Sequence, residues 1–334
     1  MELSKKIKTL AKVFLASVLF AILISTAQIK VGLLPSLIQK PWLLAEVTTL
    51  FGAITLVGAW RWHALNSAQG IHFTLSKTIL ITYIGCAFNN LLPSSVGGDA
   101  FKIFYVFKQY PQNKSRIVLT IFTDRLLGFL SVLLILCVGA LFYIPQLHQQ
   151  RRIFYLFAAC AAVSFAILGI FLIFLWFSRK MKANQSMTKW LGHNKVSQKI
   201  TVFLEAMSTF RYEKSVIIKG LLFSICIQIL MTLVVLLIAK TMSLPLTFPG
   251  YLVAIGITQI VSLFPITPGG IGIGEMAFAN VLLLLNPFSS APYATAFFAY
   301  RLFGQLAYLP GLIYGIPEFF KKRGIKGSVE SEYV

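Results

Sequence analysis

Hydrophobic positions along this chain run in long blocks instead of alternating with polar ones. Four of the longest cover 13–24, 129–144, 154–177 and 216–239. They approach the roughly 20 apolar residues that a membrane-spanning helix needs. Only helices and closed barrels satisfy their backbone in lipid, and these blocks lack the dyad alternation of barrel strands. The pattern predicts an all-α integral membrane protein with full spans at about 8–28, 42–62, 116–144, 152–178, 215–240 and 291–317.

Two further apolar stretches are interrupted. Residues 78–107 predict a helix, a break at Pro93, Gly97 and Gly98, and a second short helix. Residues 248–285 repeat that design around Pro265, Pro268, Gly269 and Gly270. Each arm is short for a full crossing, so both read as re-entrant hairpins. Irregular backbone at that depth requires burial in protein or a polar cavity. The prediction is therefore eight membrane segments: six spans and two hairpins in a single polytopic domain, 1–334.

The two breaks carry more than a shared shape. Pro93 and Pro265 each precede a Gly-Gly pair by the same spacing, and a carboxylate follows each pair, Asp99 or Glu275. Arg125 follows Asp99 by 26 residues, and Arg301 follows Glu275 by the same 26. Around each arginine the text reads Arg-Leu-x-Gly-x-Leu. Together these agreements indicate an internal duplication, repeat 1 at about 42–144 and repeat 2 at about 215–317. Three predicted spans lie between the hairpins, and an odd number turns the second copy over. Inverted repeats with broken helices are the layout of many secondary transporters, whose substrates bind where the halves meet.

Composition changes the picture in one respect. Of 334 residues, 57% are hydrophobic and 12% charged, against about 25% charged in a typical soluble domain. The net charge of +20 would suit a nucleic-acid binder, but the basic residues gather between apolar blocks. The 179–219 segment holds nine, and the N-terminus, the 100–116 segment (Lys102 included) and the C-terminal tail hold four each. That is the positive-inside pattern. It predicts an inner (cytoplasmic) membrane protein with both termini cytoplasmic, membrane lipids as partners and no nucleic acid. Within 179–214, Val196, Ile200, Phe203, Leu204, Met207 and Phe210 recur at helical spacing, predicting a cytoplasmic amphipathic helix on the membrane or on the protein's own loops. The Lys-rich start also has the shape of a signal peptide, but a retained first helix is expected. The four cysteines lie apart in apolar stretches and the four histidines are scattered, so neither a metal nor another cofactor is expected.

Candidate chemistry lies at the breaks. Proline ends a helix, and Gly-Gly lets the backbone turn and another group come close. A helix restarting there directs free amides and its positive dipole end at the break, where an anion binds well. Asp99 and Glu275 can cap those amides. Charges within spans usually face an interior or a polar cavity. Arg125 and Arg301 therefore either neutralise Asp99 and Glu275, within a repeat or across, or receive a charged headgroup, and both roles are compatible. Asp124 supplies a further carboxylate, and Asn89 and Asn90 add polar groups.

The text from Asn89 through Asp99, the pair Asp124-Arg125, and the text from Pro265 through Glu275 resemble the family of the lysylphosphatidylglycerol synthase transmembrane region. That resemblance extends over nearly the whole chain. It implies a membrane part that moves lipid between leaflets, with Asn89, Asn90, Asp99, Asp124, Arg125, Glu275 and Arg301 as candidate substrate-binding residues. In bifunctional relatives a cytosolic C-terminal domain makes the lipid. This sequence ends shortly after its last predicted span, so a stand-alone member is expected, with a separate lipid-synthesis enzyme as a possible partner. The expected function is a flippase-like translocator. An intramembrane lipid-modifying transferase using Asp99, Asp124 or Glu275 as base, or a non-transporting assembly partner, are the alternatives.

Overall fold

The computed structural model describes residues 29–91, 97–143, 214–245, 247–263, 267 and 270–321, with isolated positions elsewhere. Among these, every regular element is helical. After a short helix α1 (Leu34–Ile38) come α2 (Pro41–Ala68), α3 (Leu75–Leu91), α4 (Gly97–Gln109) and α5 (Lys114–Leu141). The second part holds α6 (Lys214–Thr241), α7 (Phe248–Ser262), α8 (Ile273–Leu285) and α9 (Tyr293–Lys321). The expected spans at 8–28 and 152–178 and the amphipathic segment within 179–214 lie largely or wholly outside the described residues. So do Pro93, Pro265, Pro268, Gly269 and the side chain of Asn90.

Helix lengths follow the expected order. α2 to α5 have 28, 17, 13 and 28 residues, and α6 to α9 have 28, 15, 13 and 29. At about 1.5 Å per residue, the 28-residue helices exceed the roughly 30 Å hydrocarbon core. The 13-residue helices, about 20 Å long, do not. α2, α5 and α6 are long and apolar enough to span, while α7 and α8 are shorter apolar helices. α9 has the length, and its Arg301, Gln305 and Tyr308 line a cavity.

The two quartets also pack alike. α3 lies on α4, and α7 on α8; α3 also packs on α9, and α7 on α5. α2 meets α6 directly, and each of them touches both α5 and α9. Exchanging the quartets leaves this set of neighbours unchanged. Small residues make the close crossings, as expected where helices associate by van der Waals packing in lipid. Gly311 and Gly315 of α9 face Tyr83, Ile84, Ala87 and Phe88 of α3. In the corresponding pair, Gly256 of α7 faces Val132 and Leu136 of α5, and Gly139 of α5 faces Val253 of α7.

Burial explains two departures from the expected boundaries. α2 continues past residue 62 to Ala68, although Arg61, His63 and Asn66 make that end polar. Trp62, Leu65 and Asn66 are fully buried, so these positions face protein instead of water or headgroups. Lys102, counted above among the basic residues of a cytoplasmic segment, is buried within α4. The outward faces of α2, α5, α6 and α9 expose Leu56, Trp60, Leu134, Val138, Leu222 and Leu309, which suits a protein embedded in lipid.

Candidate functional site

At the first hairpin, Gly98 lets two backbones meet. A Cβ there would run into the Gly85 carbonyl of α3 and would stand 2.8 Å from the Asn89 side chain. The Gly98 N–H instead donates to Asn89 Oδ1 at 2.8 Å, so a side chain from α3 caps the restarting helix. Asp99, one residue on, accepts from Arg125 Nε at 2.6 Å.

The second hairpin solves the same problem with different groups. Gly270 and Gly272 take φ of +69° and +85°, a region that glycine enters without steric cost. Glu275 is wholly buried, and its Oε2 accepts from the Gly272 N–H at 2.7 Å. Its other oxygen, Oε1, lies 3.2 Å from Arg301 Nε. That is ion-pair distance without hydrogen-bond alignment, since Oε1 has no hydrogen-bond donor among the described residues. Arg301 also donates from Nη2 to the Gly270 carbonyl at 3.1 Å and lies over the Phe297 ring. One arginine thus ties the break to the span that follows it.

A third pair was not anticipated. Arg61 of α2 grips Asp124 of α5 with Nε–Oδ1 at 2.6 Å and Nη2–Oδ2 at 3.0 Å, a two-point contact that only a guanidinium makes. Its Nη1 donates to Ser224 Oγ of α6 at 2.7 Å. Arg61 therefore joins three helices from both quartets. Asp124 is committed to Arg61, while its sequence neighbour Arg125 turns to Asp99. Both hairpin pairs close within their own quartet, not across.

These groups surround one cavity of about 740 Å³ between the quartets. That lies within the range of small-molecule pockets and leaves room for a headgroup. Asn89, Asp99, Asp124, Arg125 and Arg301 reach its wall, with Arg61, Lys102, Gln228 and Gln259. Glu275 does not; it stands behind Arg301. Gln228 of α6 and Gln259 of α7 exchange amide hydrogen bonds at 3.2 and 2.6 Å. The remaining wall is largely apolar and aromatic, including Phe51, Phe129, Tyr300 and Tyr308. Sequence reasoning missed Arg61, Lys102 and the two glutamines. A signal existed for Lys102, which lies three residues after Asp99 and so shares its helical face.

Residues 9–311 match the family described as lysylphosphatidylglycerol synthase TM region. The chain belongs to this family. Among curated proteins, none gives a significant match. Membership of the lysylphosphatidylglycerol synthase transmembrane region, with the apolar spanning helices, makes this a multi-pass, membrane-embedded protein linked to lipid handling.

Proposed function

We propose that this protein is a flippase-like lipid translocator of the inner membrane. A charged headgroup passes through the cavity between the quartets while the acyl or prenyl tails remain in lipid. The observation that carries this reading is the cavity itself: a largely apolar chamber whose wall carries ion-paired side chains, between two quartets of matching helices, in a lipid-handling family. The matched lengths and exchangeable packing support a duplication, and the basic segments support an inverted one with both termini cytoplasmic. On this reading α3–α4 and α7–α8 are re-entrant hairpins entering from opposite faces. A transporter fits the site better than an enzyme. Asp99, Asp124 and Glu275 are each bound to an arginine, which suits structural anchoring better than proton abstraction.

The test is reconstitution of purified protein into vesicles carrying a fluorescent phospholipid. An impermeant quencher added outside should extinguish inner-leaflet label faster than in protein-free vesicles, as that lipid moves to the outer leaflet. Arg125→Lys keeps the charge but loses the planar fork, so it should insert normally and transport more slowly. Wild-type vesicles that exchange no lipid faster than empty ones would sink the reading.

A further inference from the structure

The charges around the cavity do not balance. Three carboxylates, Asp99, Asp124 and Glu275, are matched one to one by Arg125, Arg61 and Arg301. Lys102 is left over. It lines the cavity, is only 8% exposed, and has no carboxylate within ion-pair distance among the described residues. Its ammonium instead rests 4.8 Å from the centre of the fully buried Trp62 ring. A cation–π contact of that kind is attractive but weaker than a charged hydrogen bond. Asp124 lies near enough to feel this ammonium but is held by Arg61. A buried charge with no ion-pair partner of its own is costly, so an anion entering the cavity would recover part of that cost. The half-exposed Arg125 and the inward-facing Arg301 share the same chamber. A cationic headgroup would meet four positive side chains there, Arg61 included, against two carboxylates in the wall, Asp99 and Asp124, each already held by an arginine.

We infer that the cavity selects an anionic, phosphate-bearing headgroup, and that Lys102 is the cation that receives it. This rests on the translocator reading for its route but not for its chemistry. The phosphate is common to an anionic phospholipid and a polyprenyl monophosphate. Lysine suits it as a point charge that can swing from the Trp62 ring to a phosphate oxygen. The neighbouring Gly85 makes room for this: a Cβ there would stand 3.0 Å from Lys102 Cε.

The experiment measures thermal stabilisation of the purified full chain by phosphatidylglycerol, a short polyprenyl monophosphate, a quaternary-ammonium lipid and inorganic phosphate. Wild-type protein should be protected by at least one of the two phosphate lipids and not by the cationic one. The phosphate lipid that protects at lower concentration identifies the source. Lys102→Met should weaken its apparent affinity roughly ten-fold or more, the scale of one charged hydrogen bond, and Lys102→Arg should retain most of it. Equal protection by the cationic lipid, or an unchanged response in Lys102→Met, overturns the inference. Inorganic phosphate protecting as well as the lipids also overturns it, since the site would then take a soluble anion. The comparison of lipid charges needs only wild-type protein, so it decides the sign even if Lys102→Met misfolds. Vesicle assays separate the two readings. Lys102-dependent binding without any lipid exchange removes translocation and leaves the anion site. Exchange indifferent to headgroup charge and to Lys102→Met removes the anion site and leaves translocation.

Discussion

Arg125 and Arg301 occupy matching sequence positions but differ in burial, and their mutants should differ accordingly. The Arg301 side chain is 19% exposed and its partner Glu275 is fully buried, whereas Arg125 is 49% exposed. Removing Arg301 leaves a carboxylate stranded in low dielectric, which costs roughly 3–5 kcal/mol. Removing Arg125 leaves Asp99, whose side chain is 11% exposed, in the cavity wall, where contact with solvent relieves part of that cost. Arg301→Ala should therefore lower the melting temperature in detergent much more than Arg125→Ala. Adding Glu275→Gln to Arg301→Ala should recover part of the loss. Equal destabilisation by the two single mutants would contradict the burial difference. Lys102→Met should move the other way without lipid. It removes a buried charge that has no ion-pair partner of its own, so its unliganded melting temperature should equal or exceed that of the wild type.

Among the elements, α3 and α4 make a very close approach. Gly98 brings the start of α4 against the backbone of α3, and no rotamer relieves a clash between a Cβ and a carbonyl. Gly98→Ala should cost on the order of 1–3 kcal/mol, the usual range for overpacking, and should reduce the folded fraction after extraction. At Gly52 an added Cβ would meet nothing within 4 Å, and Gly52→Ala in the middle of α2 should be neutral or mildly stabilising. A fluorescence-detected size-exclusion profile after graded heating compares the two directly. If Gly98→Ala matched Gly52→Ala, the close crossing of α3 and α4 would not hold in the membrane.

For the whole molecule, the proposed inversion makes a simple topological prediction. In a cysteine-free background, cysteines placed at Ser186 and Gln146 should react with an impermeant reagent from opposite faces of the membrane. Reaction from the same face would remove the inverted arrangement, and with it the expectation that the hairpins enter from opposite sides. The cavity would survive such a result, because its walls depend on which helices touch and not on which way they insert. Headgroup binding and alternating access are thus separate properties, tested by separate measurements.

Several features of this protein could be read from the residues in order. Long apolar blocks mark spanning helices because lipid requires a fully hydrogen-bonded backbone and apolar side chains. α3, α4, α7 and α8 begin and end within a few residues of the expected bounds, with Gly97 and Gly98 opening α4 instead of standing in the break before it. The pairs Asp99–Arg125 and Glu275–Arg301 were legible because charges in apolar surroundings need partners, and the matched spacing offered them. Arg61 and Lys102 were not. Arg61 finds Asp124 63 residues away and Ser224 163 residues away, and local pattern carries no information about which helix faces cross at such separations. Lys102 looked like one more basic residue in a cytoplasmic segment because hydropathy counts a charge without knowing what covers it. Only the packing of α4 against α3 and α5 put it beside Trp62, in the wall of a cavity shared by both quartets. Local backbone chemistry is encoded residue by residue, whereas the balance of charge in a cavity exists only after distant helices have met.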